Sequence, residues 1–551
     1  MKRPPLIRTV LHCALLLALA NLPSPAQEPN ASGGPLLPEQ AAYDVKHYDL
    51  TLKIDPENQS IGGAVIVDAK IVHPASWFVL DLDPRFKVSA VQSLGPLKTD
   101  PPTAMAFEWR DRRLWCKFPF MKQPGDSVKI RVAYSGKPKV APRPPWDDGF
   151  VWSKTPSGKP WVGVSCEADG ADVWWPCKDH PSDRADSMSL HFMVPESLVC
   201  AASGKLVGVV SNADHTRTWN WNVSTPINNY AMSINIAPYK SVETTYKSAT
   251  GEQTNVIFYA IPEHFEKAKE LTTKFLKMIS FLEEKCGPYP FRADKIGVAE
   301  TPYLGMEHQT ITAYGDRFQD NAFGFDWLLY HEFAHEWFAN LVVNADWKDM
   351  WIHEGFASYL EALYAERLKG EAGYSGYMGR FRTGLVNSRS VAPLETKNSN
   401  EIYVDNDIYF KGACILGTLR YLLGDQKFFI ALRRMAYPTA AMESIKDGRQ
   451  CRYATTDDFL HIAETAGGKP LGWFFDVYLR QPKLPKLVSE TADGKLRLHW
   501  ETPGNTPFPM PVDVKLGDKI QRVNVTNEGV SIAVPEGVTP VIDPAKRVLR
   551  E

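Results

Sequence analysis

Two histidines and a glutamate stand close together in the stretch His331-Glu332-Phe333-Ala334-His335. No proline or glycine interrupts residues 325–343 around it, so we predict a helix over those residues. Because four residues make slightly more than one helical turn, both imidazoles lie on the same helix face and can reach one ion. Glu332 points about 100° away from that direction, which suits a base acting on water better than a metal ligand.

A hydrolytic zinc site needs three protein ligands and one open position. Glu354 follows His335 by 19 residues and begins a second predicted helix over residues 354–368. Two such helices joined by a turn can pack antiparallel and bring Glu354 to the histidine pair. His353 is the alternative third ligand, and a pair of solvated surface histidines is the alternative to a metal site. The pattern favours one Zn²⁺ per chain held by His331, His335 and Glu354.

The segment from His331 to Glu354 resembles the metal site of the gluzincin aminopeptidases of the M1 family. The resemblance implies zinc-dependent removal of the N-terminal residue from peptides by metal-activated water, with Glu332 as the general base. The implied partners are peptides with a free N-terminus.

A second motif precedes the histidines. Gly305-Met306-Glu307-His308 resembles the Gly-x-Met-Glu-Asn exopeptidase motif of the M1 family, with His308 in place of the usual asparagine. The resemblance implies that Glu307 binds the free amino terminus of the substrate. It further implies that the backbone near Gly305 holds the peptide and that Met306 lines the pocket for the first side chain. A carboxylate fixed beside the reacting carbonyl would select substrates that carry an ammonium one residue away.

Two further segments resemble family motifs. Glu167 matches the second amine-binding acid of a Gln-x-Glu segment, in which Ser165 stands where many members have glutamine. Tyr409 precedes Lys411-Gly412 and matches the tyrosine of the Tyr-x-Lys-Gly motif. The resemblance implies that this phenol stabilises the tetrahedral intermediate, a task for which a neutral donor is suitable.

The chain changes its periodicity twice. Alternating, strand-like segments fill residues 43–239, helical spacing dominates residues 262–468, and alternation returns after Pro485. We therefore predict a multidomain α+β protein. The resemblance implies a saddle-like N-terminal β-sheet domain, a thermolysin-like and mostly helical catalytic domain, and a short C-terminal β-sandwich, without the large C-terminal helical domain of many members. The predicted bounds are residues 27–245, 246–475 and 476–551.

The N-terminus predicts export. Lys2, Arg3 and Arg8 precede an apolar run over residues 11–20, which is shorter than the roughly 20 residues of a membrane span. We expect residues 1–26 to be a signal peptide and the mature chain to be periplasmic or secreted, without stable insertion in a membrane. An uncleaved anchor is the alternative.

The balance of charged residues limits the kinds of binding partner that we expect. The 62 basic and 64 acidic residues give a net charge of −2 and are well mixed, so neither nucleic acid nor an anionic membrane surface is expected to bind. Seven cysteines follow the predicted signal peptide. Cys166 and Cys177 could form a disulfide in an oxidising compartment or pack as buried thiols.

Three alternative functions share this metal motif. A zinc endopeptidase would keep the metal ligands but lack an amine anchor. An epoxide hydrolase would use the same metal site on a different substrate. A non-catalytic peptide-binding scaffold would need neither the general base nor the metal.

Overall fold

The computed structural model describes residues 32–551 apart from Gly34 and Lys98. The predicted signal peptide, residues 1–26, lies outside the described residues. Among the helices that the structure describes, none is both long enough and apolar enough to cross a membrane.

The first half of the described chain is built from strands, as its alternation predicts. In the first strand the side chains of Tyr48, Leu50 and Leu52 are buried, and those between them face outwards. After a short helix α1 Pro38–Ala41, the elements are β1 Tyr43–Asp55, β2 Ser60–Ile71, β3 Ala75–Asp81, β4 Lys87–Leu94, β5 Thr103–Ala104, β6 Phe107–Arg110, β7 Arg113–Lys122, β8 Ser127–Gly136, β9 Gly149–Lys154, β10 Pro160–Ser165, β11 Ser187–Pro195, β12 Val199–Ala202, β13 Lys205–Ser211, β14 Thr216–Val223 and β15 Ile234–Ala237.

These strands form three sheets around one core. The largest has eight strands in the order β13-β14-β11-β1-β2-β8-β4-β5, in which only β1 and β11 are parallel neighbours. The others have the orders β12-β15-β10-β9 and β3-β7-β6. Trp174, Trp175 and Trp221 are buried between the sheets, so the N-terminal region has an apolar core of its own.

The following region is mostly helical and carries a mixed five-stranded sheet of order β16-β17-β18-β20-β19. Its first strand includes residue 245, at which we predicted a domain boundary. The elements are β16 Lys240–Lys247, β17 Gln253–Ala260, α2 Phe265–Cys286, β18 Ile296–Glu300, β19 Gly305–Met306, β20 Thr312–Tyr314, α3 Trp327–Ala334, β21 Val342–Asn344, α4 Trp351–Thr383, α5 Asp407–Leu423, α6 Asp425–Ala436, β22 Arg452–Ala454, α7 Thr456–Gly467 and α8 Gly472–Tyr478.

Helix α3 is shorter than the predicted helix over residues 325–343. Asp326 caps its first turn by accepting a hydrogen bond from the Leu329 amide, and regular helix ends at Ala334. Beyond it the amides of residues 340, 341 and 342 bond to carbonyls five residues earlier, which widens the turn. The prediction was wrong in this second half, where these wider bonds replace the regular helical ones. The Glu336 side chain there accepts a hydrogen bond from the Thr310 amide, and the Asn340 side chain donates one to the Glu307 carbonyl.

Helices α4 and α5 cross closely at two glycines. A β-carbon on Gly412 would lie 2.9 Å from the Cα atom of Gly355. Because Gly355 directly follows Glu354, this crossing brings the first turn of α5, with Tyr409, near the ligand end of α4. Helix α5 begins at Asp407, which places Tyr409 on the helix and not in the preceding loop.

The last strands are β23 Lys486–Ala492, β24 Lys495–Glu501, β25 Pro511–Leu516, β26 Lys519–Asn524, β27 Val530–Ala533 and β28 Val541–Ile542. They form two three-stranded sheets of order β23-β24-β27 and β26-β25-β28. Phe508 packs edge-on against Trp500 from this segment and against Trp473 and Tyr478 from α8. The C-terminal segment thus continues the core of the helical region.

Replacing Gly412 by alanine is expected to force α4 and α5 apart. We expect Gly412→Ala to lower the free energy of unfolding by about 1–3 kcal/mol, measured by chemical denaturation. Gly379→Ala is the matched control, since a β-carbon there meets no atom within 4 Å, and it should stabilise helix α4 by roughly 0.5–1 kcal/mol. Equal effects of the two changes would contradict the close crossing.

Candidate active site

Three donor atoms converge where α3 faces the start of α4. His331 Nε2 lies 3.2 Å from His335 Nε2, and Glu354 Oε2 lies 3.3 Å and 3.5 Å from these two nitrogens. His331, His335 and Glu354 are only 7%, 1% and 3% exposed. The structure therefore brings together the three residues that the sequence singled out as metal ligands.

The donor set fits a tetrahedral zinc ion. Two ligand atoms about 2.0–2.1 Å from a tetrahedral ion are about 3.3 Å apart, which matches the three separations. Glu354 Oε2 is buried and has no hydrogen-bond partner of its own, although a buried carboxylate normally has one. Two neutral imidazoles and a carboxylate are a zinc ligand set with room for a fourth ligand.

Hydrogen bonds on the far ring nitrogens orient both histidines. The His331 Nδ1–H donates to Glu361 Oε1 at 2.7 Å, and the His335 Nδ1–H donates to the Phe338 carbonyl at 2.9 Å. Tyr377 in turn donates to Glu361. These bonds leave each Nε2 lone pair directed at the common point. The sequence analysis missed Glu361, although it follows Glu354 by two helical turns and therefore shares its helix face.

Glu332 directly follows His331 and is nearly buried. Burial raises its pKa to about 8; the histidines His331 and His335 oppose this shift, whereas Glu307 and Glu354 add to it. A β-carbon on Gly305 would lie 2.8 Å from Glu332 Oε1. A side chain at residue 305 would therefore displace the Glu332 carboxylate from its position beside the edge strand β19.

Glu307 and Glu167 lie on one side of the histidines. Tyr230 donates a hydrogen bond of 2.9 Å to Glu307 Oε1, and the Asn340 side chain donates to the Glu307 carbonyl. Glu167 Oε1 is buried without a partner. Burial raises the pKa of Glu167 well above its usual range, and the charges of Glu307 and then Glu354 raise it further. Such a cluster of buried carboxylates favours a bound cation.

The remaining predicted site residues surround these groups. Met306 is buried and packs with Tyr303 and Ala313. The Tyr409 ring stacks on His331 at 6.2 Å. Burial, followed by the charge of Glu354, raises the pKa of Tyr409 well above its usual range, so the phenol is a neutral hydrogen-bond donor.

The structure decides two alternatives that the sequence left open, the role of His353 and the state of two cysteines, and it also locates His308. His353 Nε2 accepts the Asn344 amide at 3.0 Å, so its ring binds backbone and is not among the three converging donors. His308 is buried with no hydrogen-bond partner on either ring nitrogen. Cys166 and Cys177 are free, buried thiols, and the disulfide between them does not form.

The helix pair that presents two histidines and a downstream glutamate defines a metallopeptidase site of the gluzincin type. Two family models match the chain. The model described as "Peptidase family M1 domain" matches residues 270–478, and the one described as "Peptidase M1 N-terminal domain" matches residues 44–231. The chain belongs to peptidase family M1.

Similar proteins include endoplasmic reticulum aminopeptidase 1 of Mus musculus, with 27% identity over 47% of this chain and 29% of that protein. Leucine aminopeptidase 2 of Vanderwaltozyma polyspora has 27% identity over 70% of this chain and 59% of its own length. The chain therefore matches less than two thirds of these relatives. Among solved structures, an M1 zinc metallopeptidase from Deinococcus radiodurans has 26% identity and a TM-score of 0.66 over 83% of this chain and 98% of that one.

Removing the carboxylate behind His331 should weaken metal binding. We expect Glu361→Ala to lower zinc affinity by about 10–100-fold, measured by competition with a chromophoric chelator. Glu371→Gln is the control, because this glutamate lies further along the same helix and bonds to Ser375 and Arg547. An unchanged zinc affinity in Glu361→Ala would contradict the orienting role of this hydrogen bond.

Proposed function

We propose that the protein is a zinc-dependent aminopeptidase that removes the N-terminal residue from peptides. The observation that carries this proposal is the position of two buried carboxylates, Glu307 and Glu167, beside the three converging donor atoms. The mouse and yeast relatives named above are aminopeptidases. A related Deinococcus radiodurans enzyme, at 25% identity, has been crystallised with a Tyr-Ser-Ala substrate.

His331, His335 and Glu354 would hold one zinc ion per chain. Zinc bound there supplies a Lewis acid that polarises the scissile carbonyl and makes water acidic enough to react near neutral pH. The histidines and the glutamate contribute the geometry, because Glu361 and the Phe338 carbonyl fix the two rings.

Glu332 is the proton carrier in this proposal. Its carboxylate takes a proton from the attacking water and later passes it to the departing amine nitrogen. Burial and the neighbouring acids raise its proton affinity, which suits both halves of this cycle. Tyr409 donates a hydrogen bond to the oxyanion that develops on the carbonyl.

Glu307 and Glu167 bind the substrate's ammonium group. Both are nearly buried and lie near Glu354, so an unpaired ammonium is strongly preferred over a blocked, neutral terminus. Strand β19 lies at the open edge of its sheet, where the backbone near Gly305 can pair with an extended peptide. Met306 would border the pocket for the first side chain.

The domain bounds and the export of the protein are also part of this proposal. We propose three domains over residues 27–245, 246–475 and 476–551. The last would be a small β-sandwich, which its two three-stranded sheets support, and it shares an apolar core with the helical domain. We also propose that residues 1–26 direct export and that the mature protein is periplasmic or secreted, on the basis of the charged and apolar pattern of its N-terminus.

Glu332→Gln should abolish most turnover and keep the metal. The amide is isosteric but cannot carry the proton, so we expect kcat to fall by about 10²–10⁴-fold, measured with an aminoacyl fluorogenic amide. Zinc content by elemental analysis is the control and should equal that of the wild type. Near-normal turnover would show that another group is the base.

Glu307→Gln should remove the preference for a free N-terminus. Losing a charged partner of the ammonium costs about 1.5–3 kcal/mol, so kcat/KM for an unblocked dipeptide amide should fall by roughly 10–100-fold. The acetylated form of the same dipeptide amide is the matched comparison. Equal losses on both substrates would refute the anchor and favour an endopeptidase.

A further inference from the structure

We propose that Tyr403 is a positioning residue that holds Glu167 in place to receive the substrate's amino group. This role rests on the aminopeptidase function proposed above and adds to it a residue outside the family motifs that the sequence analysis identified. Tyr403 lies in the loop between α4 and α5, six residues before Tyr409.

The loop that carries Tyr403 is fastened to the segment that carries Glu167. The Ser399 hydroxyl donates a 2.6 Å hydrogen bond to the carbonyl of Ala168, the residue directly after Glu167. A short 3₁₀ turn over Ser399–Glu401 follows, and the Tyr403 amide bonds back to the Ser399 carbonyl at 3.2 Å. Because these hydrogen bonds link the two segments, they restrain the position of Tyr403 relative to Glu167.

The side chain of Trp347 packs against the ring of Tyr403. The two rings meet edge to face, with centroids 6.1 Å apart and planes at 73°. This packing restrains the orientation of the Tyr403 ring and therefore the position of its hydroxyl. Burial raises the pKa of Tyr403 well above its usual range, and the charge of Glu167 adds the most to this shift.

The Tyr403 hydroxyl and the Glu167 carboxylate interact, but their hydrogen bond is incomplete. Burial raises the pKa of Glu167, and hydrogen bonding from Tyr403 acts against this larger effect, yet both the hydroxyl and Glu167 Oε1 are inaccessible to solvent and neither completes a hydrogen bond of normal geometry. Leaving such a group unpaired costs about 1–3 kcal/mol, so each needs a partner in some functional state. One is a donor and the other an acceptor, and a small rotation of the carboxylate would complete the bond between them.

Substrate binding would cause this rotation. An ionised carboxylate offers about four acceptor positions on two oxygens, so Glu167 can accept from the ammonium and from Tyr403 at the same time. The phenol then restricts the carboxylate to the orientation that receives the amine. Tyr403 itself need not touch the reacting atoms, and its loss should affect substrate binding more than the chemical step.

The test is Tyr403→Phe in the zinc-loaded enzyme. We expect KM for an unblocked dipeptide amide to rise by about 10-fold, the loss of one hydrogen bond to a charged group, with kcat within about 3-fold of the wild type. The thermal midpoint should change little, because the hydroxyl removed completes no hydrogen bond of normal geometry in the free protein. Tyr421→Phe is the matched control, since the Tyr421 hydroxyl on α5 is also buried without a partner, and it should leave KM unchanged.

A double-mutant cycle separates positioning from a general effect. In a Glu167→Gln background, Tyr403→Phe should raise KM by less than about 2-fold, because partners in one network are not additive. An unchanged KM in the single variant, or the same rise in both backgrounds, would overturn the role of Tyr403 while the aminopeptidase function stands. A zinc-loaded wild type that cleaves no unblocked peptide would overturn both.

Discussion

The convergence of two imidazoles and one carboxylate from separate helices is the constraint on which the rest of the site depends. His331 and His335 are aligned by a single helical turn, but Glu354 reaches them only because α4 packs directly against α3. The donors lie 3.2–3.5 Å apart in a nearly dry environment. Such an arrangement is costly without a cation, so the fold is organised to bind one.

The surrounding carboxylates add further negative charge to this buried site. Glu332, Glu307 and Glu167 lie near Glu354 in a buried cleft, and burial together with mutual repulsion raises the proton affinity of Glu332 and Glu167. A metal ion offsets part of this negative charge, and a substrate ammonium offsets more. The proposed selectivity for a free N-terminus would then depend on charge balance as much as on shape.

The sequence predicted the local part of this site and missed the tertiary part. The histidine spacing determines a helix face, and family motifs pointed to Glu354, Glu307, Glu167, Gly305, Met306 and Tyr409. Helix α3 ends at Ala334, and beyond it Glu336 and Asn340 bond to Thr310 and Glu307, which no local pattern reveals. Tyr403 belongs to a loop whose position depends on a hydrogen bond to Ala168, far away in the sequence. Glu361 was predictable in principle, since it is two helical turns from Glu354.

X-ray absorption at the zinc edge of the purified protein tests the central claim most directly. The account predicts one zinc ion per chain with only nitrogen and oxygen ligands at about 2.0–2.1 Å, two of them showing imidazole scattering. A sulfur ligand near about 2.3 Å, a spectrum with no imidazole contribution, or a protein that retains far less than one zinc per chain would contradict it.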